Sequence, residues 1–521
     1  MAQMSKALIL PRLASLHKAS VVAPSRLRGW NAHLQRLPIH DRPSRLSSVA
    51  SASPSRAPAR QQPELLSPLQ VNNILREHEF TLSLSGLNHE GLGSLVGLHS
   101  NQLPSNTPSE DRRAAAICLF GPGALIGVFD GHGGPACAQA VSQRLFPYVS
   151  AALLPQRTLE ELEVAADAGD PVPDLVSWLG PVGEVPGRQW AEKRAWSLRT
   201  FWQELLDLET GEGLPPHEAL VTAFKRLDLD ISLEAQVHSE TAGQSRLARR
   251  VAFSGCTACM AYVDGTDLYI ANTGDSRAVL GMRTANGTWL AQSLTNDHSA
   301  QNERELVRLQ AEHPMKECDT VVKQGRLLGL LMPFRAFGDV RFKWSLELQK
   351  RVFEESGLHS GVAAQPYLFI PDYHTPPYLT AEPEITYHQL GPQDRFVVIA
   401  TDGLWEVLHR QDVVRLVGEH FDQAPAIPAP PPNPSVCSLT LGDMLQQLKA
   451  RREAGQNPTG GDRNSATMLV RHTVGRDDWG GVDPQRLARS LSLPEDLTRV
   501  YRDDITVTVI YLDPSGFNRQ Q

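Results

Sequence analysis

The sequence predicts an α+β protein built on antiparallel sheets, and three observations carry that expectation. Short apolar or alternating runs rich in β-branched residues recur at Val128-Phe129, Cys256 to Val263, Asp267 to Asn272, Arg395 to Ala400 and Ile505 to Leu512, which is the pattern of strands. Other segments repeat their apolar residues at helical spacing: Leu220, Phe224, Leu227 and Ile231 fall at i, i+4, i+7 and i+11 and build one apolar face. The strand-like runs are not each followed by a helical segment, which argues against a doubly wound parallel sheet.

In chain order, the beginning stands apart. Up to Ala59 the chain carries seven arginines, two lysines and one acid, Asp41, among many serines and alanines. From Met4 to Lys18, leucines can gather on one helical face and cations on another, the pattern of an organelle transit peptide, usually mitochondrial. A disordered basic tail is the alternative. The folded part is expected to begin near Leu66. Beyond the first strands and the helix through Leu220, Gln301 to His313 and Gln411 to Phe421 also have helical spacing, and Asp483 followed by Pro484 is a cap and first-turn signal. The proline-rich stretch from Ala424 to Pro434 can be neither helix nor central strand and is expected as an exposed loop. No internal repeat is found.

Composition narrows the function. A chain of 521 residues with 41% hydrophobic and 21% charged content can bury a large core. Its net charge of −8 and pI near 6.1 give no global reason to expect nucleic-acid binding. No apolar run approaches the ~18 residues of a membrane span, so a soluble protein is expected. Six cysteines without a dense framework indicate a reducing compartment. Cys256 and Cys259 have redox-motif spacing, but they sit inside an apolar strand-like run and are read as packed core, with redox or metal chemistry as the alternative.

The chemistry is concentrated in aspartates at strand ends. In Ile126-Gly127-Val128-Phe129-Asp130-Gly131-His132-Gly133-Gly134 a strand delivers Asp130 to a turn whose glycines allow close backbone approach. Gly274-Asp275-Ser276, Thr401-Asp402-Gly403 and Arg502-Asp503-Asp504 share that setting. Several carboxylates in one cleft repel one another unless cations neutralise them. An all-oxygen set suits Mg²⁺ or Mn²⁺ rather than structural zinc. An isolated Asp-Gly is ordinarily just a turn, so the weight lies in the combination.

Taken in order, Ser109-Glu110-Asp111-Arg112, Val128 to Gly134, Ser254-Gly255-Cys256-Thr257-Ala258, Asn272 to Arg277, Asn296-Asp297-His298, Arg335-Ala336-Phe337-Gly338-Asp339, Ala400 to Trp405 and Arg502 to Val507 resemble the successive motifs of the metal-dependent protein phosphatases, the PPM or protein phosphatase 2C family. The resemblance implies a β-sandwich of two antiparallel sheets with helices on both outer faces. It implies one phosphatase domain over residues 66–513 with inserted loops at about 155–190 and 424–436, a leader and transit peptide over 1–65, and a tail over 514–521. It also implies two Mg²⁺ or Mn²⁺ ions and a water activated between them. By motif position Asp130 bridges both ions and Gly131 offers its carbonyl. Asp402 and Asp503 complete the core ligands, and Glu110 and Asp111 hold metal-bound waters. Asp275 matches a third, weaker cation site, with Asp339 as its support. His132 matches the general acid, the proton donor that a poor alkoxide leaving group calls for.

One position departs from the family. Where many members carry an arginine that grips the substrate phosphate, five residues before Asp111, this chain has Asn106; Arg112 or Arg113 is the candidate substitute. Ser100 to Pro104, Phe201 to Leu205, Asp297 to Leu306, Arg326 to Asp339 and Tyr373 to Thr380 resemble the mitochondrial branch of the family that acts on pyruvate dehydrogenase. That narrower resemblance implies phosphoserines of the pyruvate dehydrogenase E1 α subunit as substrate, in the mitochondrial matrix. It further implies docking on the lipoyl domain of the E2 acetyltransferase, assisted by Ca²⁺ in one isoform, and a regulatory subunit as a further partner. Two alternatives are carried forward: a phosphatase for another phosphoprotein, and a non-catalytic binding protein of the same fold.

Overall fold

The apolar and β-branched runs all extend as strands, and these pair into two sheets. The computed structural model describes residues 65–84, 89, 91–180, 188–208, 211–237, 242–355, 370–423 and 461–513. With strands numbered along the chain, the first sheet runs β1 (Phe80–Ser83), β2 (Leu95–Leu103), β15 (Ile505–Leu512), β14 (Asp394–Ala400), β8 (Arg277–Arg283) and β9 (Trp289–Ser293). The second runs β13 (Glu384–Gln389), β7 (Asp267–Thr273), β6 (Gly255–Asp264), β4 (Ala124–His132), β3 (Arg112–Cys118) and β5 (Val176–Trp178), with the short β12 (Phe337–Gly338) also on β6. A small separate hairpin joins β10 (Val322–Lys323) to β11 (Arg326–Leu327). Every pairing between these strands is antiparallel.

Apolar cores lie on both faces of each sheet, which explains why β15 is buried along its whole length instead of alternating. Ile126, Val128, Ala261, Leu280, Val397 and Ile399 interdigitate between the sheets. On the outer face of the second sheet, Leu125, Phe129 and Met260 meet the helices Ala136–Leu153 and Pro216–Gln236. On the outer face of the first, Phe396, Val398 and Val507 meet Leu404, Val417 and Leu469 from the helices Asp402–Trp405, Arg410–Gln423 and Ser465–Gly475. The architecture is therefore α+β, a two-sheet sandwich with helices outside both sheets.

The expected helices form. Leu220, Phe224, Leu227 and Ile231 are all buried along one side of Pro216–Gln236. Asp483 caps the helix Pro484–Leu491 by accepting the Gln485 N–H at 2.8 Å. Cys256 and Cys259 are both buried free thiols. Because they are an odd number of residues apart on β6, they face opposite cores, so they can neither pair nor share a metal. One expectation needs correcting. Residues 155–190, read as an inserted loop, contain the helix Gln156–Asp167 and strand β5; Leu159 and Leu162, at helical spacing, bury that helix against the core. The leader, the proline-rich loop and the tail lie outside the described residues. Among the described residues no helix is long and apolar enough to cross a membrane.

Register decides what lies at the end of the sandwich. Ala400 at the end of β14 stands opposite Val507 of β15 and Arg277 of β8, and Leu103 at the end of β2 stands opposite Ile505. In the second sheet Asp130 stands opposite Thr257, Arg112 opposite Phe129, and Thr273 opposite Ala258. The connections over residues 104–111 and 274–276 pass from sheet to sheet at this end. Aspartates far apart in sequence are thereby delivered to one edge.

Truncating Leu227 should destabilise the protein by about 2–5 kcal/mol, because it leaves a cavity under the sheet. Leu229→Ala, on the exposed side of the same helix, should stay within about 0.5 kcal/mol. Chemical denaturation of the two variants would check the assignment of the buried face.

Candidate functional site

Each acidic side chain at this end is set by a strand terminus or by the turn beside it. Asp130 lies near the C-terminal end of β4, Asp402 follows β14, Asp503 and Asp504 precede β15, Asp275 lies between β7 and β8, and Glu110 and Asp111 precede β3. Glycines let these segments touch. A side chain at Gly131 would strike the Glu110 carbonyl, and one at Gly403 would strike the Asp504 carbonyl.

The electrostatics report the same convergence. Burial drives Asp130 well above the usual carboxylate range, and the neighbouring charges that push it further are Asp402, Asp111, Asp275 and Asp503. Asp402 is raised in the same way, by burial and then by Asp275, Asp503, Glu406 and Asp111. Asp111 is pushed up to about 8 by burial and by Asp504, against the opposing hydrogen bond of Thr401. Asp275 is pushed up to about 6, again mainly by burial. Burial also raises Glu110 and Asp503, although the Gly134 N–H and Arg499 respectively oppose it. No leading neighbour of Asp130 or Asp402 is a cation.

Among the described residues no three His, Cys, Asp or Glu side chains are already arranged to hold an ion. What the structure shows is a cluster of mutually repelling carboxylates rather than a finished ligand shell. Its donor chemistry fits hard divalent cations: the donors are oxygens only, and the leading charges acting on Asp130 and Asp402 are other carboxylates.

A second layer of hydrogen bonds holds the cluster in place. Thr401 Oγ1 donates to Asp111 Oδ2 at 2.8 Å and accepts the Thr506 N–H at 3.0 Å, tying β14, β15 and the segment before β3 together. Asp504 accepts from Ser105 N at 2.5 Å, Glu110 N at 2.7 Å, Asn106 N at 2.9 Å, Ser109 Oγ at 3.0 Å and Asn106 Nδ2 at 3.2 Å. Burial alone would raise this carboxyl, but the N–H groups of Asn106, Ser105 and Glu110 outweigh it and hold Asp504 below the usual range. Sequence reasoning quoted Asp504 without giving it a role. The small polar residues Ser105, Asn106 and Ser109 were the available signal.

His132 closes the site on the β4 side. Its Nε2 lies 2.5 Å from Asp339 Oδ2, with the ring 29% exposed and the carboxylate 3%. Burial works against the imidazolium, but the Asp339 charge and hydrogen bond override it, so His132 stays protonated above the ordinary histidine range. Asp339 sits at φ +47° with its N–H donated to the Ser254 carbonyl at 3.0 Å; such left-handed backbone outside glycine concentrates at functional sites. A Cβ at Gly255 would collide with both His132 and Asp339. Asp339, expected to support an accessory cation site, turns its Oδ2 to the histidine.

The phosphate-binding candidates divide. Asn106 turns its amide to Asp504 and, at 3.4 Å, to Glu110 Oε2. Arg112 donates its Nε to Gln139 Oε1 at 2.5 Å and its Nη1 to the carbonyls of Ser109 and Asp111. Arg113 points to the other face of β3, reaching Ser100 Oγ and the His78 carbonyl and lying over the Phe80 ring, so it is excluded as the substitute. The reason is strand alternation, which sends adjacent residues to opposite faces.

Comparison with known proteins gives three findings. The family model described as protein phosphatase 2C matches residues 173–443. A Homo sapiens protein named pyruvate dehydrogenase (acetyl-transferring) phosphatase 1, mitochondrial, is 52% identical over 452 residues, covering 85% of this chain and 83% of that protein. The human protein named phosphatase 2 of the same series is 47% identical over 453 residues, covering 86% of this chain and 84% of that protein.

Asp339→Asn should lower the pH at which His132 titrates. Removing the carboxylate charge leaves burial as the main influence, and burial favours the neutral ring. NMR titration of the ring protons in metal-free protein would check this, and an unchanged midpoint would show that the pair does not set the histidine's charge.

Proposed function

The chain belongs to the protein phosphatase 2C family, and on that premise we propose that it is a metal-dependent protein serine/threonine phosphatase that dephosphorylates serines of the pyruvate dehydrogenase E1 α subunit in mitochondria. The observation that carries the catalytic part is the delivery of Asp130, Asp402, Asp503, Asp275 and Asp111 to one edge, beside the His132–Asp339 pair. The substrate and the matrix location are supported by likeness to the mitochondrial relatives over more than four-fifths of each human chain. The basic, acid-poor leader is consistent with that location.

Asp130, the Gly131 carbonyl, Asp402 and Asp503 would hold the two core cations, Glu110 and Asp111 would orient their waters, and Asp275 would serve a third, weaker ion. Two such cations, when bound, acidify a water and spread the charge that develops on the phosphoryl oxygens. The protein's own part is positional. The central strands keep the carboxylates from moving apart, and Thr401 and Asp504 hold the connections between sheets. His132 carries the proton for the serine oxygen that leaves. Because Asp339 engages Nε2, the proton available for transfer is the one on Nδ1. Cys256 and Cys259 take no part; burial raises both thiols, which suppresses thiolate chemistry. Docking on the E2 lipoyl domain, Ca²⁺ at that interface and a regulatory subunit belong to the same proposal and rest on the branch resemblance alone.

Phosphate release from phosphorylated E1 should require Mg²⁺ or Mn²⁺ and stop on chelation. Asp130→Asn should lose at least about 100-fold, since even an outer-shell change at a metal site costs 10–100-fold. Activity that survives chelation would defeat the mechanism. Equal rates on E1 and on an unrelated phosphoprotein would defeat the substrate assignment.

A further inference from the structure

A phosphate dianion approaching this edge meets a rim of carboxylates, so a cationic side chain at the rim would strengthen its binding. Position 106 supplies none, because Asn106 is neutral and its amide faces Asp504 and Glu110. The nearby arginines are mostly committed elsewhere. Arg112 clamps Gln139 and two carbonyls, and Arg113 lies on the far face of its strand. Arg277 is locked on Asp297 through Nε and Nη2. Arg502 is folded back on Ser105 Oγ and the Pro104 carbonyl.

Arg499 differs from these. It lies in the last turn of the helix Glu495–Tyr501, four residues before Asp503, with its side chain 50% exposed. Its Nη1 is 2.7 Å from Asp503 Oδ2, while Asp503 Oδ1 accepts the Asp504 N–H at 2.7 Å. Asp504 in turn holds Asn106, so Arg499 and Asn106 flank the same two-residue turn. Its charge is also felt at Glu110, across the rim. A half-exposed ion pair of this kind is weak, and a guanidinium has five donors in a planar fork suited to phosphate oxygens.

We propose that Arg499 makes the cationic contact to the substrate phosphate, taking from the helix before β15 the part that an arginine at position 106 would otherwise play. This rests on the phosphatase reading above. The side chain is tethered by Asp503 at the edge of the site and turns its remaining N–H groups to the incoming dianion.

The test compares wild type, Arg499→Ala and Arg499→Lys by the Ki of inorganic phosphate, by KM and kcat on a phosphoserine peptide, and by the Mn²⁺ concentration for half activation. Loss of one charge-assisted contact should raise the phosphate Ki and the peptide KM about tenfold or more in Arg499→Ala. Arg499→Lys should retain part of the effect, and the Mn²⁺ requirement should not move. An unchanged phosphate Ki overturns the assignment. So does a Mn²⁺ requirement that rises in step with Ki, because Arg499 would then act only by seating Asp503. A wild-type chain that releases no phosphate would overturn the phosphatase reading and this one together, which separates the two failures.

Discussion

Like charges resist being packed together out of water, and the working end of this sandwich is arranged around that cost. Asp130 and Asp402 are half-buried and surrounded mainly by other carboxylates, so they hold protons well above the ordinary range. They cannot relax apart, because the strands that carry them are central in their sheets and packed on both faces. Divalent cations would reverse the balance by returning the carboxylates to their ionised form. On the proposed metal-dependent reading, any cation held there would stabilise the native state by mass action.

Adjacent aspartates show how local donors divide the labour. Asp503 is raised by burial, whereas Asp504, the next residue, is held low by N–H groups from the segment 105–110. Asp503 is thus left to its ion pair with Arg499, and Asp504 organises the loop that leads into β3. Asp339 is a third case: its charge is directed to one imidazole, from a backbone conformation anchored on Ser254. Residue type is the same in each; the partners decide whether it pairs with a guanidinium, braces a loop or tunes an imidazole.

Much of the fold was legible. The buried runs at Cys256 to Val263 and Ile505 to Leu512 read as strands because length and β-branching distinguish them, and the stripe through Leu220 and Ile231 read as helix because its period is unambiguous. The segment 155–190 was misread because its helix has a narrow apolar face of few residues and β5 is only three residues long. Within the site, the core aspartates were legible because strand-end Asp-Gly and Gly-Asp motifs repeat in order. The partner of His132 was not, since Asp339 lies 207 positions away in sequence.

By itself the sequence determined which side chains are available to bind cations and carry a proton, and that two antiparallel sheets with outer helices would carry them; periodicity and motif order are local properties, preserved in one dimension. Only the tertiary structure decided which of those groups meet. Strand register and face alternation placed Arg113 and one of the two cysteines on faces away from their neighbours, gave Asp339 to His132, and left Arg499 at the rim. Contacts of that kind depend on where chain segments hundreds of residues apart come to rest, and the order of residues does not encode that locally.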